Sequence, residues 1–277
     1  MAYPSIGHDV LGCLLTGYAK GGTTLVKDLL VQTTDMASGF EGGLLLSASP
    51  ADGIPEPHAR NLLEAWKPGA DFLERYRACR TFDEGYRLLR DSAKRLPGKD
   101  APLIDKTPEY MVCLADVIRR APGTPLVIVV RDPLAVIVSW LQLGNSLSDA
   151  IVWVRAASES LLWAIDRGGS RPFYIVNLAD VIGQPNATLA PLQFWLGRPP
   201  RSIDPQATCG LPYKAGRRRG LPKGIETDRH DITSRCSFQE LAAIRREADR
   251  AMPYRRSIAS LRSGPCHIAS AQWARVA

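Results

Sequence analysis

The feature that most constrains this chain is a strand, a glycine loop and a helix that follow one another within residues 10–31. The apolar run Val10–Leu15 has the length of a buried strand, and the loop Gly17–Gly22 contains three glycines. Apolar residues then recur at helical spacing: Leu25, Val26, Leu29 and Leu30. Glycines let backbone N–H groups converge, and the first turn of a helix leaves its N–H groups without partners inside the helix. The segment therefore predicts a cradle for an anion.

The loop comes close to the pattern G-x-x-x-x-G-K-S/T of ATP-binding P-loops, but its lysine is displaced. Gly17, Gly22 and Thr24 match the pattern, whereas Thr23 stands at the lysine position and Lys20 lies inside the loop. A loop without the usual lysine is poorly suited to a triphosphate with Mg²⁺, and it suits a group with fewer charges, such as a sulfonate. An ordinary turn between a strand and a helix is the alternative interpretation.

The composition narrows the function classes. Lysine and arginine outnumber aspartate and glutamate by 35 to 28, a net charge of +7, which favours an anionic ligand. No basic arm or aromatic-interleaved basic run indicates a nucleic-acid partner. The six cysteines form no C-x-x-C pair and no metal-ligand spacing, so we expect reduced thiols, a cytoplasmic protein and no metal. No signal segment or membrane span is visible.

Strands and helices alternate along the chain, which predicts an α/β fold with a mostly parallel central sheet in a single domain, residues 1–277. The predicted strands after the first are residues 101–104, 125–130 and 173–177. Predicted helices follow the glycine loop and cover residues 58–66, 82–96, 109–120, 133–144, 147–166, 188–196 and 238–252. Residues 44–46 are either a strand or the start of a buried helix, and residues 198–224 form a basic loop.

Polar motifs follow the predicted strands at their carboxyl ends, where such sheets bind ligands. The Lys20 loop follows the first strand, and Asp105-Lys106-Thr107-Pro108-Glu109-Tyr110 follows the second. Arg131-Asp132-Pro133 follows the third, with Asp132 as a helix N-cap, Pro133 as the first helical residue and Ser139 on the helix. A late basic element, Gly216-Arg217-Arg218-Arg219-Gly220, adds further charge.

This combination resembles the sulfotransferases that use 3′-phosphoadenosine 5′-phosphosulfate (PAPS), over residues 12–220. The loop Ala19–Thr24 resembles their 5′-phosphosulfate loop, and Arg131 with Ser139 resembles their 3′-phosphate motif. Residues 180–185 and 192–197 are similar to a structural stretch of the family. The resemblance implies a P-loop NTPase-like three-layer α/β sandwich. It also implies this set of donor-binding residues: Lys20, Gly21, Gly22, Thr23, Thr24, Arg131, Ser139, Arg218, Arg219 and Gly220.

The chain departs from the phenol- and steroid-type enzymes, which carry a catalytic histidine in a Lys-Thr-His segment. Here Lys106-Thr107 is followed by Pro108, and Leu25 stands where many small-molecule members have an aromatic residue. The segment is closer to the bacterial and carbohydrate branches, which use a glutamate base beyond the first helix. Glu41 stands in that place, and a solvated loop carboxylate is its alternative reading. His58 is the rival candidate base.

The resemblance implies transfer of a sulfuryl group from PAPS to a hydroxyl of a small molecule, a carbohydrate or a natural product. Lys20, Glu41 and Lys106 are then the catalytic residues, adenosine 3′,5′-bisphosphate is the product, and no metal is needed. Two alternatives stay open. One is a kinase-like phosphotransferase with an atypical P-loop, in which Asp132 binds Mg²⁺, and the other is a non-catalytic nucleotide-binding protein. The identity of the acceptor, the choice of arginine among residues 217–219 and the oligomeric state are open as well.

Overall fold

The structure is a computed structural model that describes residues 6–94, 96, 100–167, 173–203 and 237–266. Its sheet has the order β2-β1-β3-β4-β5, in which β1 to β4 are parallel and β5 runs antiparallel to β4. The strands are β1 Leu11–Gly17, β2 Leu103–Lys106, β3 Leu126–Val130, β4 Phe173–Asn177 and β5 Gly264–Cys266. The predicted α/β fold with a mostly parallel sheet is confirmed, and β2 lies two residues later than predicted.

The helices follow the predicted order with several differences. Those of the first half are α1 Thr23–Thr33, α2 His58–Trp66, α3 Phe72–Arg77, α4 Phe82–Ser92 and α5 Leu114–Arg120. Those of the second half are α6 Pro133–Leu141, α7 Leu147–Arg167, α8 Leu178–Gly183, α9 Pro185–Trp195, α10 Phe238–Ala251 and α11 Arg255–Ala259. Short 3₁₀ helices occupy Leu44–Leu46, Pro50–Asp52 and Pro108–Cys113, so the predicted helix 109–120 is a 3₁₀ segment followed by α5.

The predicted ends at Leu96, Gly144 and Thr188 were wrong, and α6 stops at Leu141, three residues early. Helix α4 stops at Ser92, and α9 begins earlier, with Pro185 in its first turn, where a proline costs no hydrogen bond. Helices α3 and α8 were not predicted, because six residues are too few to show a helical period. Of the predicted basic loop 198–224, only residues 198–203 lie in the described part of the chain.

Helices cover both faces of the sheet because neighbouring strand residues point to opposite sides. Ile128 and Ile175 pack into one core with residues of α4, α5, α6, α7 and α10. Val129 and Val176 pack into a second core with residues of α1, α8 and α9. This arrangement is the expected three-layer sandwich. No helix in the described ranges combines the length and the apolar character that crossing a membrane requires.

The parallel strands bring three polar segments to one edge of the sheet, the edge formed by the carboxyl-terminal ends of the strands. The register pairs Leu15 with Lys106 and Gly17 with Val129, so β1, β2 and β3 end at nearly the same level. The glycine loop, the Lys106 segment and Arg131 therefore leave the sheet side by side.

Candidate active site

The glycine loop turns sharply into α1. Lys20 and Gly22 have left-handed φ angles of 70° and 91°, and the Gly21 N–H donates to the Tyr18 carbonyl at 2.7 Å. A Cβ at Gly22 would lie 2.5 Å from Leu178 Cδ1, so this position needs glycine for space as well as for conformation. Gly22 is the N-cap of α1 and supplies no side-chain cap, which leaves the first-turn N–H groups oriented towards the loop.

Two side chains, one directly after β3 and one on α6, hold the backbone of this loop. Arg131, 6% exposed, donates from Nη1 to the Lys20 carbonyl at 2.8 Å. Trp140 donates from Nε1 to the Ala19 carbonyl at 3.1 Å. Ser139 is buried on α6, directly before Trp140. The structure thus places Arg131, one of the two predicted 3′-phosphate residues, in contact with the predicted phosphosulfate loop, while the Lys20 side chain is exposed.

Asp132 caps α6, as the sequence predicts. Its Oδ1 accepts from the Leu134 N–H at 2.9 Å, and Pro133 is the first helical residue. The same oxygen lies 3.3 Å from Nη1 of Arg255. The carboxylate that the kinase alternative needs for Mg²⁺ is therefore engaged by a helix terminus and by a guanidinium.

Lys106 ends β2 and forms a partly buried ion pair with Glu41. Its Nζ lies 2.7 Å from Glu41 Oε1, and the two side chains are 1% and 15% exposed. The ammonium also lies 4.8 Å from the ring centroid of Phe40, a cation–π distance. Two predicted catalytic residues, 65 positions apart in sequence, are thus in direct contact.

Asp105, the neighbour of Lys106, organises the loop that carries Glu41. Its carboxylate accepts hydrogen bonds from Tyr86 at 2.5 Å, Tyr110 at 2.6 Å and Thr107 at 2.8 Å. Burial and the charge of Asp105 raise the pKa of both tyrosines well above its ordinary value, so both phenols stay donors. Thr107 Oγ1 accepts from the Gly43 N–H at 3.1 Å. The Tyr110 hydroxyl accepts from the Leu45 N–H, also at 3.1 Å.

The two rival bases turn out to be neighbours, joined by a third residue. One ligand atom from each of Glu41, His58 and Glu109 lies within 4.8 Å of the other two. His58 opens α2 and is 5% exposed, with its Nε2 3.8 Å from Glu109 Oε2. Burial, and then the charge of Glu41, raises the pKa of Glu109 above its ordinary value.

The sequence reading assigned Glu109 no role. The available signal was its place in the polar segment after β2, three residues beyond Lys106. Of the other predicted donor-binding residues, Thr23 is buried and Thr24 half-buried in the first turn of α1. Arg218, Arg219 and Gly220 lie outside the described residues.

Comparison with known proteins identifies a family over most of this region. The family model described as "Sulfotransferase family" matches residues 14–202, which is more than half of the chain. Nodulation protein NoeE of Sinorhizobium fredii (strain NBRC 101917 / NGR234) is 30% identical over 132 residues. That match covers 46% of this chain and 30% of the relative, so the chain spans less than a third of that protein's length.

Two solved structures share the fold. The sulfotransferase domain of the Synechococcus PCC 7002 olefin synthase gives a TM-score of 0.54 at 19% identity, over 74% of this chain and 82% of that domain. The sulfotransferase domain from the curacin biosynthetic pathway gives a TM-score of 0.52 at 17% identity, over 74% of this chain and 80% of that domain.

Proposed function

The chain belongs to the sulfotransferase family, and we propose that it transfers a sulfuryl group from PAPS to a hydroxyl of a small-molecule, carbohydrate or natural-product acceptor. The observation that carries the proposal is the partly buried Lys106–Glu41 pair at the end of β2, beside the glycine loop at the end of β1. A candidate proton acceptor and a candidate anion cradle thus share one edge of the sheet.

The residues of the loop suit a phosphosulfate group. The close packing at Gly22 leaves room for backbone only, and the uncapped first turn of α1 presents N–H groups and the hydroxyls of Thr23 and Thr24. Arg131 and Ser139 would bind the 3′-phosphate by charge-assisted hydrogen bonds, since a guanidinium has five donors and can contact the loop backbone and a phosphate together. When bound, PAPS supplies an activated sulfuryl group.

Lys20, Glu41 and Lys106 have separate roles in the transfer. Lys20 stabilises the negative charge that develops on the leaving phosphate as the sulfur–oxygen bond to it breaks. Glu41 accepts the proton of the attacking hydroxyl as the new oxygen–sulfur bond forms, a contribution of about 10²–10⁴ in rate. Lys106 orients Glu41 through their 2.7 Å contact. The engaged carboxylate of Asp132 favours this function over phosphotransfer with Mg²⁺.

Mass spectrometry tests the proposal directly. The protein is incubated with PAPS and a panel of alcohols, phenols and sugars, and we expect one class of acceptor to gain a single SO₃ group while the donor becomes adenosine 3′,5′-bisphosphate. Glu41→Gln is the matched control, because its amide oxygen still accepts from Lys106 but no longer takes a proton. Binding of adenosine 3′,5′-bisphosphate without transfer to any acceptor would instead indicate a nucleotide-binding protein.

A further inference from the structure

Glu41, His58 and Glu109 surround a small space at the edge of the sheet. They come from three separate segments: the loop after α1, the start of α2 and the 3₁₀ helix after β2. Three atoms that all lie within 4.8 Å of one another share a point no farther than about 2.8 Å from each of them. An oxygen atom at that point therefore lies within hydrogen-bond distance of all three atoms.

Two of the three residues around this space have a buried polar atom without a hydrogen-bond partner among the described residues. His58 is more than nine-tenths buried, and its Nδ1 forms no hydrogen bond with another described residue. Glu109 Oε2 is also buried without a hydrogen bond among the described residues. The 3.8 Å between His58 Nε2 and this oxygen is too long for a direct bond. Because buried polar groups are nearly always satisfied, the space calls for a polar occupant.

A hydroxyl fits the space better than a metal ion does. Zinc would bring two positive charges to this point, held by nitrogen and oxygen ligands at about 2.0–2.2 Å. The ammonium of Lys106, 2.7 Å from Glu41 Oε1, also opposes a second cation at that carboxylate. A hydroxyl oxygen at the common point carries no positive charge and brings one donor and two acceptor lone pairs.

We propose that His58 and Glu109 are acceptor-binding residues that, together with Glu41, hold the reacting hydroxyl in a three-point cradle. The inference rests on the proposed sulfuryl transfer and adds the way in which the acceptor is held. The hydroxyl donates its hydrogen to Glu41 and accepts from His58 Nε2–H and from the neutral carboxyl of Glu109. Both donors share one lone pair of this oxygen, so the other lone pair attacks sulfur as the proton passes to Glu41 and the bond between sulfur and the leaving phosphate breaks.

The surroundings of Glu109 support its donor role. The charged and titratable groups that face it are Glu41, His58 and Lys106. Burial and the negative charge of Glu41 both favour its protonated form, and these two influences are the largest. A neutral Glu109 places no second negative charge beside Glu41 and has a hydrogen to donate.

A crystal structure with adenosine 3′,5′-bisphosphate tests the cradle without a known acceptor, because water has the same hydroxyl group. We expect one ordered water oxygen within hydrogen-bond distance of Glu41, His58 and Glu109. An atom at about 2.0–2.2 Å from its ligands with a metal's anomalous signal would overturn the proposal. Direct contact between His58 and Glu109, with no oxygen between them, would overturn it too.

Hydrolysis of PAPS by water, followed as release of labelled sulfate, tests the roles of the side chains. Glu109→Ala should slow the release by about 10-fold, whereas Glu109→Gln, whose amide still donates, should stay within about 3-fold of wild type. The wild-type rate should fall as pH rises through the raised pKa of Glu109, and the rate of Glu109→Gln should lack that fall. Glu74→Ala, an exposed glutamate on α3, is the matched control.

His58→Asn should also slow the release by about 10-fold, with exposed His8→Asn as its control. Equal rates for Glu109→Ala and Glu109→Gln would overturn the proposal, as would a wild-type rate no higher than that without protein. Failure of the cradle and failure of the proposed function are distinguishable. The function stands if an acceptor gains SO₃ even when these variants behave like wild type.

Discussion

Two tyrosines make nearly the same bond to Asp105, and only one of them also holds the Glu41 loop. Tyr86 and Tyr110 are fully buried and donate to the same carboxylate oxygen, at 2.5 and 2.6 Å. The Tyr110 hydroxyl also accepts from the backbone N–H of Leu45, four residues after Glu41. Changing each tyrosine to phenylalanine therefore separates two effects: the loss of a bond to Asp105, which both variants share, and the loss of the bond to the loop, which only Tyr110→Phe has.

The structure gives the expected magnitudes. Each substitution removes one hydrogen bond to a charged group, about 1.5–3 kcal/mol of unfolding free energy. Tyr110→Phe also leaves the N–H of Leu45, a fully buried residue, without its acceptor, which costs about 1–3 kcal/mol more. We expect Tyr86→Phe to lose about 1.5–3 kcal/mol and Tyr110→Phe about 2.5–6 kcal/mol.

Urea unfolding, followed by tryptophan fluorescence, measures both losses. Turnover, measured under conditions where both variants are folded, should fall more for Tyr110→Phe, because Glu41 is then less firmly placed. Affinity for adenosine 3′,5′-bisphosphate should change little in either variant. Equal losses of stability, or a larger loss for Tyr86→Phe, would refute the argument that Tyr110 holds the loop.

Three further predictions follow from the site. Lys20→Ala should lower turnover by about 10²–10³ with a smaller loss of nucleotide affinity, whereas Arg131→Ala should chiefly weaken binding; single-turnover rates and calorimetry separate the two. Glu41→Gln should cut turnover by about 10²-fold or more with nucleotide affinity intact, and His58→Ala should be milder; the reverse order would identify the histidine as the base. Because the pKa of Glu109 is raised, the folded protein holds a proton that the unfolded chain releases, and the free energy of unfolding falls as pH rises between the ordinary and the raised pKa. Glu109→Gln should remove this contribution to the pH dependence in urea melts between about pH 4 and 8. An unchanged dependence would contradict the burial argument.

The parts of the fold that the sequence predicts well depend on patterns among neighbouring residues. Helix α2 and strand β4 have the predicted bounds, and the apolar run of β3 begins only one residue later. The glycine loop and the cap at Asp132 depend on neighbouring residues and were visible for the same reason. Short helices such as α3 have fewer than two turns, so their apolar pattern does not repeat clearly.

The site itself was only partly predictable, because its contacts are tertiary. The sequence indicated Lys106 and Glu41 separately, but their ion pair depends on β1 and β2 lying side by side. His58 and Glu41 were treated as rivals, although the fold places both around one point with Glu109. No spacing in the sequence encodes that meeting, since the three residues come from separate loops and helix ends.

Calorimetry with adenosine 3′,5′-bisphosphate and with AMP tests the central claim most directly. If Arg131 and Ser139 bind a 3′-phosphate, AMP lacks two charge-assisted hydrogen bonds worth about 1.5–3 kcal/mol each. The bisphosphate should then bind about 10²–10⁴-fold more tightly than AMP. Equal affinities, or a preference for ATP with Mg²⁺, would contradict the assignment of this edge of the sheet as a PAPS site.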